Sequence, residues 1–141
     1  MVWDALDFDE AWKEKADIVI ADIPCSGLGI IGKKRDIKYK MNEEAVRSIE
    51  ALQTQILEKA VAYVKPGGKL LFSTCTINQE ENEAHVALLQ EKYHITPVSL
   101  NERLPEALHN DTTQKGYLQL LPGVHETDGF FISVFCKKEK G

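Results

Sequence analysis

Two kinds of apolar pattern alternate along this chain, with polar stretches between them. Asp17-Ile-Val-Ile-Ala-Asp22 is an unbroken apolar run and predicts a strand buried on both faces, as in parallel sheets. Over residues 43–64 the spacing changes. Val46, Ile49, Leu52, Ile56, Ala60 and Val64 recur at helical intervals and predict one apolar stripe on a helix. Asn42 suits its N-cap, and Glu43 and Glu44 fall in the first turn, where the helix dipole favours anions. Pro66-Gly67-Gly68 is suited to stop it. Lys69-Leu-Leu-Phe-Ser-Thr74 predicts a second buried strand. Asn78 and Glu81 have the spacing of a capping box and predict a helix from there to Tyr93. Residues 94–100 are a weaker strand, placed near a sheet edge by Pro97. Residues 101–116 are polar and read as loop, and residues 117–121 and 130–137 read as strands joined by a loop over 122–129.

Strand, helix and strand in alternation is the signature of an α/β protein. Only 16 residues precede Asp17, which is early for a strand with central character. The first half of a doubly wound sheet is therefore expected outside residues 1–141, and the strand over 17–22 is expected to have an unpaired edge. That edge could pair with a second copy, so a homodimer of the chain is a further expectation.

Composition narrows the function. Apolar residues make up 43% of the chain and charged residues 28%, enough for a core and against disorder. The net charge of −5 excludes a basic nucleic-acid-binding module, so any RNA contact has to come from a local patch. Lys33, Lys34, Arg35, Lys38 and Lys40 form such a patch. It reads either as a clamp on a phosphate backbone or as a solvated loop. Three cysteines, Cys25, Cys75 and Cys136, with no secretory leader before them, point to a reducing, cytoplasmic setting. No apolar run approaches the roughly 18–20 residues that a membrane span requires. The four histidines show no metal-binding spacing. His125 and Asp128 share one loop, where a structural role outweighs an acid–base pair.

Gly27-Leu-Gly-Ile-Ile-Gly32 matches the dinucleotide fingerprint G-x-G-x-x-G and comes after a strand. The fingerprint also needs a helix opening inside the motif, so that its N-terminus meets a pyrophosphate. The next stretch, Lys33-Lys-Arg-Asp-Ile-Lys38, has no helical period. A loop with glycines at its turns is the better reading, and a nucleotide-dependent oxidoreductase rests on this motif alone.

The chemistry is carried elsewhere. Asp22-Ile-Pro-Cys-Ser-Gly27 and Ser73-Thr-Cys-Thr76 sit at the carboxyl ends of the two apolar strands, where open parallel sheets bind ligands. A lone cysteine is most often a small buried hydrophobe, which is how Cys136 reads within its strand. Two cysteines at neighbouring strand ends converge on one crevice instead.

These motifs resemble those of the Sun-type (RsmB-type) ribosomal RNA cytosine-5 methyltransferases. The likeness extends through Gly29–Tyr39, Pro66-Gly-Gly68, Asn78, Glu80-Glu-Asn82, Leu120-Leu-Pro-Gly123 and Thr127-Asp-Gly-Phe-Phe131, over most of residues 17–137. The family often has a proline where this chain has Arg35. The resemblance implies the C-terminal half of a Rossmann-like methyltransferase fold, with a mostly parallel sheet and a terminal antiparallel strand. It implies S-adenosylmethionine as cofactor and small-subunit ribosomal RNA as substrate, transfer RNA being the alternative. It makes Cys75 the nucleophile that adds to cytosine carbon 6 and Cys25 the residue that helps remove the carbon 5 proton. It puts Asp22 at the cytosine N3 edge, and Asp4, Asp22 and Pro24 at the cofactor. Donation to N3 would need a protonated Asp22, held so by burial or a nearby negative charge. A partly ionised Cys75 would draw on the helix expected to open at Asn78. By the same resemblance the glycine-rich cofactor loop and an N-terminal RNA-binding domain lie outside residues 1–141, so the chain alone is expected to be inactive. A catalytically silent module of the same fold is the competing reading, against which both cysteines are retained.

Overall fold

The computed structural model describes residues 1–30 and 42–140. Strand β1 (Ala16–Asp22) is followed by helix α1 (Glu43–Tyr63), strand β2 (Val64–Thr74) and helix α2 (Glu83–Tyr93). The short strand β3 (Ile95–Pro97), a one-turn helix α3 (Asp111–Gln114), β4 (Tyr117–Leu120) and β5 (Phe130–Lys137) complete the chain. The sheet runs in the order β1-β2-β5-β3, with β4 also paired to β5. β1 and β2 are parallel, and β5 is antiparallel to β2, β3 and β4. Four strands therefore share one direction, and the last strand in sequence runs against them from inside the sheet. The expected α/β class and its antiparallel closing strand are both present.

Local chemistry accounts for the main helix. Asn42 Oδ1 accepts the Ala45 N–H at 2.8 Å, capping α1 as its sequence position implies. The buried row of α1 is Gln53, Leu57, Ala60 and Val61, rotated from the expected stripe, whose Val46, Ile49, Leu52 and Ile56 are only half-buried. The reason is that the helix lies over a small sheet, so only its C-terminal half meets the core. There Leu57, Ala60 and Val61 join Leu70, Phe72, Val86, Leu89, Phe131 and Phe135 in one cluster. Phe72 and Phe131 meet at a ring separation of 5.6 Å.

Four expectations need correction. β1 has the free edge expected of it, β2 being its one partner among the described residues, but it is not buried on both faces: Ile18 is 63% and Ile20 70% exposed, because only the face carrying Val19 and Ala21 packs on the core. α1 ends before Pro66-Gly67-Gly68, which lies inside β2 as an irregularity in the pairing with β1, Gly67 having φ +78°. α2 opens at Glu83, and Asn78 and Glu81 form no capping box. Asn78 Oδ1 accepts the Glu80 N–H at 3.2 Å, while the Glu81 carboxylate points into the protein. The segment expected to be loop over 101–116 holds α3, closed by a reciprocal cap between Asn110 and Thr113.

Candidate active site

The parallel pairing of β1 with β2 sets Asp22 opposite Ser73, so both chains leave the sheet at the same end. Three residues beyond Asp22 stands Cys25, and two beyond Ser73 stands Cys75. Their sulfurs lie 2.9 Å apart and share a hydrogen bond, and the Cys75 N–H also donates to Cys25 Sγ at 3.3 Å. Both side chains are half-buried free thiols, neither sealed in the core nor fully exposed. Burial, and next the Cys75 thiol beside it, push the Cys25 thiol up to about 12.

The backbone between the motifs is closely laced. Ile23 donates to the Ser73 carbonyl at 3.2 Å, and Gly29 donates to the Cys75 carbonyl at 3.1 Å. A Cβ at Gly29 would stand 2.7 Å from that carbonyl oxygen and 2.5 Å from the Gly129 oxygen. The central glycine of the apparent dinucleotide fingerprint thus serves a close backbone approach to the second cysteine. A 3-10 turn covers Leu28–Ile30, and the rest of the fingerprint, from Ile31, lies outside the described residues.

Asp22 is exposed rather than buried, because it ends an edge strand; its Oδ1 accepts the Ser73 hydroxyl at 2.9 Å. Pro24 is exposed beside it. Asp4 lies apart from this pair. Its Oδ1 accepts the Leu6 N–H at 2.9 Å, and it lines an apolar cavity of about 350 Å³ with Trp3, Ile18, Val19 and Tyr63, whose walls include neither Asp22 nor Pro24. The helix N-terminus expected beside Cys75 stands at Glu83 instead, because residues 79–82 form turns. Lys33, Lys34, Arg35, Lys38 and Lys40 lie outside the described residues. Cys136 is half-buried, its thiol 3.7 Å from the Gly67 carbonyl, on the sheet face away from the main core. His125 Nδ1 accepts the Leu121 N–H at 3.0 Å, a loop-closing contact. Among the described residues no group of three or more metal-ligating side chains occurs, and no helix is long and apolar enough to cross a membrane.

Beneath the two cysteines lies a buried polar layer that sequence reading passed over. Glu81 accepts from the Ser26 N–H at 2.7 Å, Ser26 Oγ at 2.6 Å, Gln53 Nε2 at 3.0 Å and Thr76 Oγ1 at 3.1 Å. Asn82 Oδ1 accepts Thr74 Oγ1 at 2.6 Å, and its amide donates to the Thr76 carbonyl at 3.0 Å and to Gln119 Oε1 at 2.8 Å. The available signal was a Gln inside the apolar face of α1 and a Glu-Asn pair just after the second cysteine motif.

Residues 1–136 match the model of the 16S rRNA methyltransferase RsmB/F family. The chain belongs to that family. Its RsmB/F relatives include ribosomal RNA small subunit methyltransferase F of Escherichia coli O6:H1, 35% identical over 134 residues, which cover 94% of this chain and 28% of that protein. Among solved structures, PH0851 superposes with a TM-score of 0.82 at 32% identity over 99% of this chain and 30% of that one. A methyltransferase homolog protein from Pyrococcus horikoshii superposes with a TM-score of 0.68 at 29% identity, over 86% of this chain and 39% of that one. The chain thus spans less than a third of the E. coli relative's length. The fold of this RsmB/F member is the one its methyltransferase neighbours share.

Proposed function

We propose that this chain is the part of an S-adenosylmethionine-dependent RNA cytosine-5 methyltransferase that holds both reacting thiols, acting on small-subunit ribosomal RNA. The observation that carries the reading is the 2.9 Å approach of Cys25 and Cys75 at the carboxyl ends of adjacent parallel strands. One pyrimidine ring can meet both sulfurs there.

Carbon 5 of cytosine is a weak nucleophile. Addition of the Cys75 thiolate to carbon 6 makes the ring enamine-like, so that carbon 5 becomes nucleophilic. The target base has to leave its stack to reach the thiol. Asp22, exposed at the strand end, faces the N3 edge of the base. Cys25 takes the carbon 5 proton as the Cys75–carbon 6 bond breaks. Its raised proton affinity keeps it a neutral thiol at rest, so it first gives its own proton to solvent; the thiolate left behind is then a strong base for the carbon 5 proton.

S-adenosylmethionine supplies the electrophilic methyl group when bound. The exposed Asp22 carboxylate suits a ligand with amino and hydroxyl groups, the exposed Pro24 ring gives it an apolar flank, and the apolar cavity with Asp4 and Trp3 at its wall suits an adenine ring. The basic cluster Lys33, Lys34, Arg35 and Lys38 is assigned to the RNA backbone on its sequence alone.

The test is covalent trapping. RNA carrying 5-fluorocytosine cannot release a carbon 5 proton, so the reaction stalls with the base still bonded to the protein. The full-length protein carrying this chain should form that adduct, and Cys75→Ala should abolish it. An adduct that persists in Cys75→Ala, or no adduct at all, overturns the proposal.

A further inference from the structure

Glu81 is a carboxylate with no exposed surface, a rare state for an acidic side chain without an ionic partner. Among the described residues no ion pair includes it. Its acceptor capacity is taken by neutral donors, and those donors have a pattern. Ser26 follows Cys25 directly, and Thr76 follows Cys75 directly. The carboxylate holds both, and the two hydroxyls also meet each other at 2.9 Å. Gln53 extends the clamp backwards, since its amide donates to Glu81 and to the carbonyl of Pro24, the residue before Cys25, at 2.9 Å. The next residue, Asn82, holds Thr74 and Thr76, the two neighbours of Cys75. Every side chain in this set is buried, so water does not compete for the bonds. An apolar cluster of the same volume would stabilise the fold as well or better. What a polar network adds is a defined geometry.

We infer that Glu81 is a positioning residue that sets the separation of the Cys25 and Cys75 sulfurs by clamping the residue after each. Its part in a reaction rests on the methyltransferase reading above; its effect on the thiols does not. Among the described residues the sulfurs are held by each other and by backbone N–H groups, those of Cys75 and Gly27 on Cys25. Their mutual distance is therefore inherited from the clamped backbone on either side.

The experiment measures thiol proximity directly, without RNA or cofactor. The reduced chain is equilibrated with oxidised and reduced glutathione. One oxidised glutathione takes two electrons and the two thiol protons, leaving a Cys25–Cys75 disulfide and two reduced glutathiones. Mass spectrometry after alkylation gives the equilibrium constant, which reports the effective concentration of one thiol at the other. Glu81→Ala should lower that constant by about tenfold or more, and Glu81→Gln, which keeps one acceptor oxygen, should restore much of it. Thr54→Val is the control. It removes half-buried bonds to His85 Nε2 and the Glu50 carbonyl; His85 meets Glu81 at the backbone carbonyl and not at the carboxylate, so the clamp stays intact and the variant should lower stability and leave the constant unchanged.

A folded Glu81→Ala chain with the wild-type constant overturns the inference. So does a Thr54→Val chain that loses as much. If Glu81→Ala does not fold, Thr76→Val and Ser26→Ala decide, since each removes one donor of the clamp. Wild-type constants in both would sink the idea. None of these outcomes bears on covalent trapping of RNA, so the two readings fail separately.

Discussion

Gly129 donates its backbone N–H to the Gly29 carbonyl at 2.8 Å, and its own Cα–Cβ direction is filled by Gly29 Cα at 2.6 Å. Two loops far apart in sequence thus meet backbone to backbone, and the Gly29 N–H continues the contact to Cys75. Gly29→Ala would force a methyl against two carbonyl oxygens that cannot rotate away. Overpacking of this kind costs about 1–3 kcal/mol. Urea unfolding should show that loss, and the Cys25–Cys75 disulfide should form less readily in the variant than in the wild type.

Cys25 carries a pH dependence whose sign comes from its raised pKa. The folded state holds the thiol proton more tightly than the unfolded chain, whose free thiol titrates near its ordinary value. The stability this contributes is fully present below the unfolded value and is lost as pH rises through the folded one. Thermal unfolding from pH 8 to pH 12 should therefore show a decline that is shallower in Cys25→Ala. Cys75→Ala removes the second cause of the shift and should speed alkylation of Cys25 at pH 8. Alkylation at an unchanged rate would contradict the coupling.

Asn82 saturates three buried or half-buried groups at once: Thr74 Oγ1, the Thr76 carbonyl and Gln119 Oε1. Asn82→Ala leaves buried polar atoms unpaired, each at a cost of about 1–3 kcal/mol. The variant should unfold at clearly lower urea concentration than Arg47→Ala, whose ion pair with Glu43 is exposed. Equal midpoints for the two would refute the account of the buried layer.

Phe72 is fully buried and touches both Phe131 and the His85 ring. Phe72→Ala should cost about 3–5 kcal/mol, as expected for a large core deletion. Ile20→Lys, on the exposed face of the edge strand, should change stability by less than about 0.5 kcal/mol while reducing self-association of the chain. Light scattering at rising concentration measures the second effect, and an Ile20→Lys chain that unfolds would show that this face is covered after all.

Much of this was legible in the linear pattern, and the failures are informative. β5 was readable to the residue because Phe131, Ser133 and Phe135 alternate inward. β1 misled because an apolar strand signals that its faces are suited to burial, not that a neighbour in the same chain covers them. The Asn78–Glu81 spacing misled for a related reason. A capping box and a buried clamp use the same residue types at the same interval, and only the surrounding loops decide which donor the carboxylate meets.

Local spacing was enough to set the class of fold, the helix cap at Asn42 and the placing of each cysteine just past an apolar strand. It took three-dimensional contacts to bring Cys25 and Cys75 within reach of each other, to turn Gly29 towards Cys75 rather than a phosphate, and to point Glu81 inward. Those are relations of Cys25 with Cys75, Gly29 with Cys75 and Ser26 with Glu81, which are 50, 46 and 55 positions apart. They exist only once parallel pairing has brought two strand ends together, and periodicity along the chain carries no record of such distances.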